Sequence, residues 1–258
     1  VKNKLILKYK KMKKIKTILF SLLILSGIAI ISCNTNNTKD NNNVNDIEIA
    51  DEVNEMVYPI PTPFEITQML EKSGASFILD LTNSTENVNN YFTEKSKALN
   101  LGIYGADLSY SSTFNMPQDT RNILVISKKL TDELGLSSTF DDVLMQRVEK
   151  NLENKDSLYK IVSDSYYDIF NQLNNNQKGA VAVMVLAVGW VESLYLTCQL
   201  VITSNNKAEM MKGLAQQRMT SSTLLPLLQN YKDNADVVDL IEDIKKIKIV
   251  FDKLETLD

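Results

Sequence analysis

The sequence predicts an all-α protein, a single bundle of about six to eight helices around one central apolar helix. Three observations carry this. Past residue 55, apolar residues recur at spacings of three and four, the period of a helix and not of a strand. Eight Gly and five Pro in 258 residues are too few for the many tight turns of a β fold. Residues 179–203, GAVAVMVLAVGWVESLYLTCQLVIT, are apolar on every side, with Glu192 the sole charge. Such a helix is either a membrane span or the centre of a bundle. A carboxylate at mid-span would cost ~3 kcal/mol in a bilayer. The bundle centre is the expectation, with Cys198 inside it as an inert buried thiol.

The other elements follow in order. Thr62, Pro63 and Glu65 form a capping box that opens a helix carrying Ile66, Met69 and Leu70, and Gly74 stops it. Ser84 or Thr85 is the expected cap of the next helix, with Leu99, Ile103, Ala106, Tyr110 and Phe114 on its apolar face. Pro117 punctuates, Asp119 can cap, and the segment from Thr120 ends at Gly135. Ser138 or Thr139, followed by Asp141 and Asp142, opens a helix bearing Val143, Leu144, Arg147 and Val148. Leu158, Ile161, Val162, Ile169, Phe170 and Leu173 continue as one face up to the Asn174-Asn175-Asn176 break. Asn206 and Glu209 read as another capping box, and Pro226 should kink or end that helix. Val237, Leu240, Ile244, Ile247, Phe251 and Leu254 form a coiled-coil-like seam too short to demand a second chain.

Composition excludes several chemistries. With no histidine, the chain can build neither a Ser-His-Asp nor a Cys-His nucleophile system, nor a His-containing zinc site. Two cysteines, Cys33 and Cys198, are too few for a four-Cys metal site. There is no EF-hand-type loop and no Gly-rich phosphate loop. Neither a metal nor a cofactor is expected.

Three groups are candidate binding residues. Tyr104, Asp107 and Tyr110 recur every three residues on one helix, beside Gly102 and Gly105, which let a neighbour approach the backbone. Glu192 must be paired, bonded or protonated inside its apolar helix, with Trp190 and Tyr195 nearby. Asp164 and Asp168 stand four apart in DSYYD, where they repel unless a cation intervenes. If these helices pack together, Asp107, Asp168 and Glu192 with several tyrosines would converge on one acidic, aromatic pocket suited to cations and amines. The alternative at each position is structural: a tight helix crossing, a helix–helix hydrogen bond, and an exposed surface pair.

The first 32 residues read as an address. Eight lysines and no acid precede fourteen uncharged residues, Ile18 to Ile31, which are too short to span a bilayer. That is the layout of a secretory signal peptide, with Met12 as the expected start. Ile30-Ile31-Ser32-Cys33 resembles the lipobox of bacterial lipoproteins, in which the peptide is cut before the Cys and the Cys carries lipid. The resemblance implies lipidation at Cys33 and anchoring to a membrane by acyl chains. Of the twelve residues 34–45, seven are Asn, so residues 33–54 should form a flexible tether ahead of a helical domain at 55–258. No acidic run follows Cys33, which points to an outer membrane location facing the periplasm.

The body also resembles uncharacterised helical lipoproteins of Bacteroidota-type bacteria. The stretch Tyr91-Phe92-Thr93-Glu94-Lys95-Ser96-Lys97-Ala98-Leu99-Asn100 carries the resemblance, together with Tyr104–Tyr110, Asp156-Ser157-Leu158, Asp164–Asp168 and Leu186–Glu192. It implies compartment and fold and brings no activity.

Without its N-terminal lysines the chain has 20 basic against 32 acidic residues, a net charge of −12 that disfavours nucleic acid. The expected function is therefore a lipid-anchored cell-envelope protein that binds a small ligand or a partner protein and catalyses nothing. The alternatives are an assembly protein acting through helix pairing, and a carboxylate-dependent enzyme, which would need two carboxyls in unlike environments.

Overall fold

Thr62 and Glu65 start the fold as the sequence predicts. The Thr62 amide donates to Glu65 Oε2 at 2.6 Å, and the Glu65 amide donates to Thr62 Oγ1 at 3.2 Å. This box opens α1 (Pro63–Lys72), and Gly74 reverses the chain at a φ of +87°, which a side chain would strain. The computed structural model describes residues 60–137 and 140–253. The signal peptide, Cys33, the tether, Ser138, Thr139 and Leu254 lie outside the described residues.

Ser84 does not cap the long helix. It caps a short 3₁₀ helix (Thr85–Asn90), and α2 (Glu94–Thr113) begins ten residues after Ser84. The reason is a second reciprocal box, in which Thr93 and Ser96 exchange backbone-to-hydroxyl bonds at 3.0 Å each way.

Three further caps differ from expectation. Helix α3 (Pro117–Glu133) has Met116 at its N-cap position with no side-chain bond; Asp119 sits in the first turn, where its charge favours the helix dipole instead. Helix α4 (Asp142–Lys150) is capped by Asp141, whose carboxylate accepts from the Leu144 amide at 2.8 Å. Asp141 thus takes the role predicted for Ser138 or Thr139. Asn154 caps α5 (Lys155–Asn175), and α6 covers Gly179–Thr203, the span read from the sequence. In α7 (Lys207–Gln229), Asn206 makes no cap bond, because its amide reaches across to the Ser73 carbonyl at 3.0 Å. Pro226 lies inside α7 and the helix continues to Gln229; so close to the end, few following bonds depend on it. Helix α8 (Ala235–Asp252) closes the described chain.

The described residues contain helices and no strand, so the protein is an all-α bundle with α6 at its centre. Helix α6 packs against α1, α2, α5 and α7, and α7 carries α8. Val237, Ile244 and Phe251 of α8 are buried and Leu240 and Ile247 pack beside them, so the C-terminal seam is spent inside the bundle.

Helix α6 is not buried throughout. Residues 181–187 are, but Tyr195, Cys198 and Ile202 on its C-terminal half are exposed. Cys198 is therefore a surface cysteine, against expectation. Its position falls on the outer side, three residues from Tyr195 and four from Ile202, while Ser193, Thr197 and Leu200 face the core. The buried hydroxyls need no distant partners. Ser193 donates to the Gly189 carbonyl at 2.8 Å and Thr197 to that of Ser193 at 2.7 Å.

Candidate functional site

Tyr104, Asp107 and Tyr110 are fully buried on α2, and they work as a clasp on residues 75–91. The Tyr104 phenol donates to the Ser84 carbonyl at 2.8 Å. Asp107 Oδ2 accepts from the Asn83 amide at 2.9 Å. The Tyr110 phenol accepts from the Ile78 amide at 2.7 Å, and Phe77 stacks on its ring at 5.1 Å between centroids. Residues 75–84 have no regular structure to satisfy their backbone groups, and α2 supplies partners from one side. Burial raises the pKa of both tyrosines, most for Tyr104, which favours the neutral phenols.

The predicted convergence does not occur. Helices α2, α5 and α6 do pack together, but Asp164 and Asp168 face out of α5 and are exposed. Glu192 is half-buried on α6. Trp190, two positions away, points to the opposite flank, against α7 and Phe251 of α8. Three residues per step drift around a helix, and side chains on packed helices meet only where both turn inward. Among the described residues no group of three or more acids or cysteines could hold a metal.

Trp190 leads to a residue that the sequence reading missed. Its indole N–H donates to Gln217 Oε1 at 3.0 Å, and Thr220 Oγ1 donates to the same oxygen at 3.3 Å. An indole N–H can only donate, so this bond fixes which end of the amide is oxygen. Gln217 is 5% exposed and lines an open groove of about 510 Å³ between α1, α5 and α7. One signal was present in the sequence: a buried tryptophan needs an acceptor. Nothing in the spacing says which glutamine supplies it.

The groove's far wall is aliphatic, from Ile60, Ile66 and Met69, with Met219 at 78% exposure on the near rim. Met69 closes the α1–α7 crossing over Gly213, where a Cβ would collide with the methionine's methyl end. Among the described residues, Glu65 is the single charged residue of the lining, and its Oε2 is held by the Thr62 amide and hydroxyl. A second cavity, of about 30 Å³, lies under α4 with an apolar lining and the buried Ser127 hydroxyl. It is large enough for about one water molecule.

Compared with family models, curated proteins and solved structures, the chain matches none of them.

Proposed function

We propose that the chain is a lipid-anchored cell-envelope protein whose helical body is a non-catalytic binding domain. The anchor reading rests on the basic segment, the uncharged run and the Ser32-Cys33 boundary, with acyl chains on Cys33 holding the protein to the membrane. An outer membrane anchor with the body in the periplasm accords with the tether, which lacks an acidic run after Cys33.

One observation carries the binding role. Gln217, almost wholly buried, is held by Trp190 and Thr220 at the wall of an open groove. A pocket of this size with a few oriented polar groups on an apolar wall is the usual form of a small-molecule site. Of the residues nominated from sequence, Trp190 belongs to this site as a support. The clasp residues Tyr104, Asp107 and Tyr110 support the fold instead. A second reading, assembly with a protein partner, draws on the exposed Tyr195, Cys198 and Ile202 side of α6.

Two measurements test the proposal. Cys33→Ser should accumulate a precursor of raised mass that keeps its N-terminal segment; normal processing and membrane retention would refute the anchor. Native mass spectrometry of the protein from its own host, before and after denaturation, should release a small-molecule mass. A bare chain would refute the small-ligand role, and a protein companion would favour assembly.

A further inference from the structure

Resting on that binding role, we infer that the groove between α1, α5 and α7 takes an uncharged secondary amide with an aliphatic flank, recognised by the Gln217 side-chain amide. Both Trp190 Nε1 and Thr220 Oγ1 donate to Gln217 Oε1, so the oxygen is occupied and the amide nitrogen is the group left to bind. That nitrogen can only donate. The ligand atom it meets must be an acceptor.

The hydroxyls beside it are committed in the opposite sense. Thr220 spends its proton on Gln217, and Thr223 Oγ1 donates to the Met219 carbonyl at 3.3 Å. Both threonines line the groove and have lone pairs left to accept. A ligand that suits this wall brings one acceptor and one donor. A secondary amide carries C=O and N–H together in a fixed planar geometry, with room for an alkyl group at either end.

The remaining wall selects the flank. Ile60, Ile66, Met69 and Met219 present aliphatic and thioether surface, which gains from covering a branched alkyl group. Charge is selected against. Among the described residues the lining has no Lys or Arg to balance an anion, and Glu65 would repel one. A cation would meet Glu65, whose Oε2 already accepts from the Thr62 amide and hydroxyl in the α1 cap, which weakens that attraction. Trp190 is a positioning residue, since it orients Gln217 and does not line the groove.

The chain contains one tryptophan, so its single indole N–H resonance reports on Gln217 directly. The full-length protein, labelled with ¹⁵N-tryptophan in detergent, is titrated with N-acetyl-leucine methylamide. The expected result is a saturable shift of the Trp190 indole peak. N-acetyl-leucine, which is anionic, and leucine methylamide, which is cationic, should each bind at least tenfold more weakly. N-acetylglucosamine distinguishes the two sources of an amide: an acylated polar body should shift the peak less than the peptide-like probe.

Gln217→Ala should abolish the response. Because it also strips the indole of its acceptor, Met219→Phe serves as a second variant: it fills the rim from an exposed position and should weaken binding tenfold with the indole peak unmoved in the free protein. Equal binding of the charged probes, or a response only to the sugar, would overturn the amide assignment. If no probe shifts the peak but a mass from the native host does, the class is wrong and the binding role stands. If neither does, both fail.

Discussion

Gly102 of α2 and Gly189 of α6 meet backbone to backbone, the carbonyl of the first lying 3.3 Å from where a Cβ on the second would sit. A Cβ on Gly102 would lie 2.9 Å from the Gly189 nitrogen and would also collide with the Val185 carbonyl. Neither backbone group can turn aside. Gly102→Ala should therefore push α2 off the central helix and destabilise the protein by at least ~2 kcal/mol. Gly105, one turn on, is different: its Cβ would make ordinary contact at 3.6 Å with the Tyr166 ring. Gly105→Ala should be neutral or stabilising by up to ~1 kcal/mol through helix propensity. Urea unfolding of the two variants separates them, and a similar loss in both would contradict the close crossing.

The clasp makes a second prediction. Tyr104→Phe removes the bond to Ser84, and Tyr110→Phe removes the acceptor for the Ile78 amide. Each should cost about 1–2 kcal/mol, with amide exchange rising first across residues 75–91. The double variant should cost less than the sum, because one loosened end frees the segment for both. Strict additivity would mean the two bonds hold independent pieces of chain.

Alkaline pH should unfold this protein through its tyrosines. Burial raises the pKa of Tyr104, Tyr110 and Tyr166 above the ordinary value near 10. Their neutral forms stabilise the fold fully below that pH. Above it the unfolded chain releases protons that the native state keeps, so stability falls by up to about 1.4 kcal/mol per pH unit per tyrosine. Denaturant midpoints between pH 8 and 11 should drop only past about 10, and Tyr104→Phe should shallow the slope. A flat profile would contradict the burial of these phenols.

Cys198 should react in the folded state. It is exposed, but partial burial of the thiol raises its pKa and lowers the thiolate fraction. A thiol-specific chromogenic reagent should titrate one equivalent from the native body, more slowly than from a free cysteine and faster as pH rises. Reaction only after denaturation would restore the buried thiol expected from sequence.

Much of this fold was legible because helix signals are local. The Thr62 box, the 179–203 span and the inward faces of α5 and α8 each depend on residues within a few turns. The caps that differ are those decided at a distance or by a competing neighbour. Asn206 is drawn away by Ser73, and Ser84 yields to Thr93 because α2 holds the intervening chain. The site was less legible for the same reason. Tyr104, Asp107 and Tyr110 were recognised as unusual, but whether they face a ligand or the protein's own backbone depends on where residues 75–91 lie. Gln217 carries no pattern of its own. Only the position of Trp190 across the α6–α7 contact gives it a role.

Helix α6 is long and apolar enough to cross a membrane, with a mean hydropathy of 1.8 over an 18-residue window of which 72% is buried in the fold. On the proposed route through a cytoplasmic membrane, this stretch would pass the insertion machinery unfolded, before its neighbours pack over it. A polypeptide at that stage is sorted by composition alone. On that proposed route Glu192 would matter for biogenesis, because a charge at the middle of the stretch raises the cost of its release sideways into lipid. On that proposal, the carboxylate that looks misplaced in a helical core would serve as a sorting mark, and in the folded bundle it is half-buried.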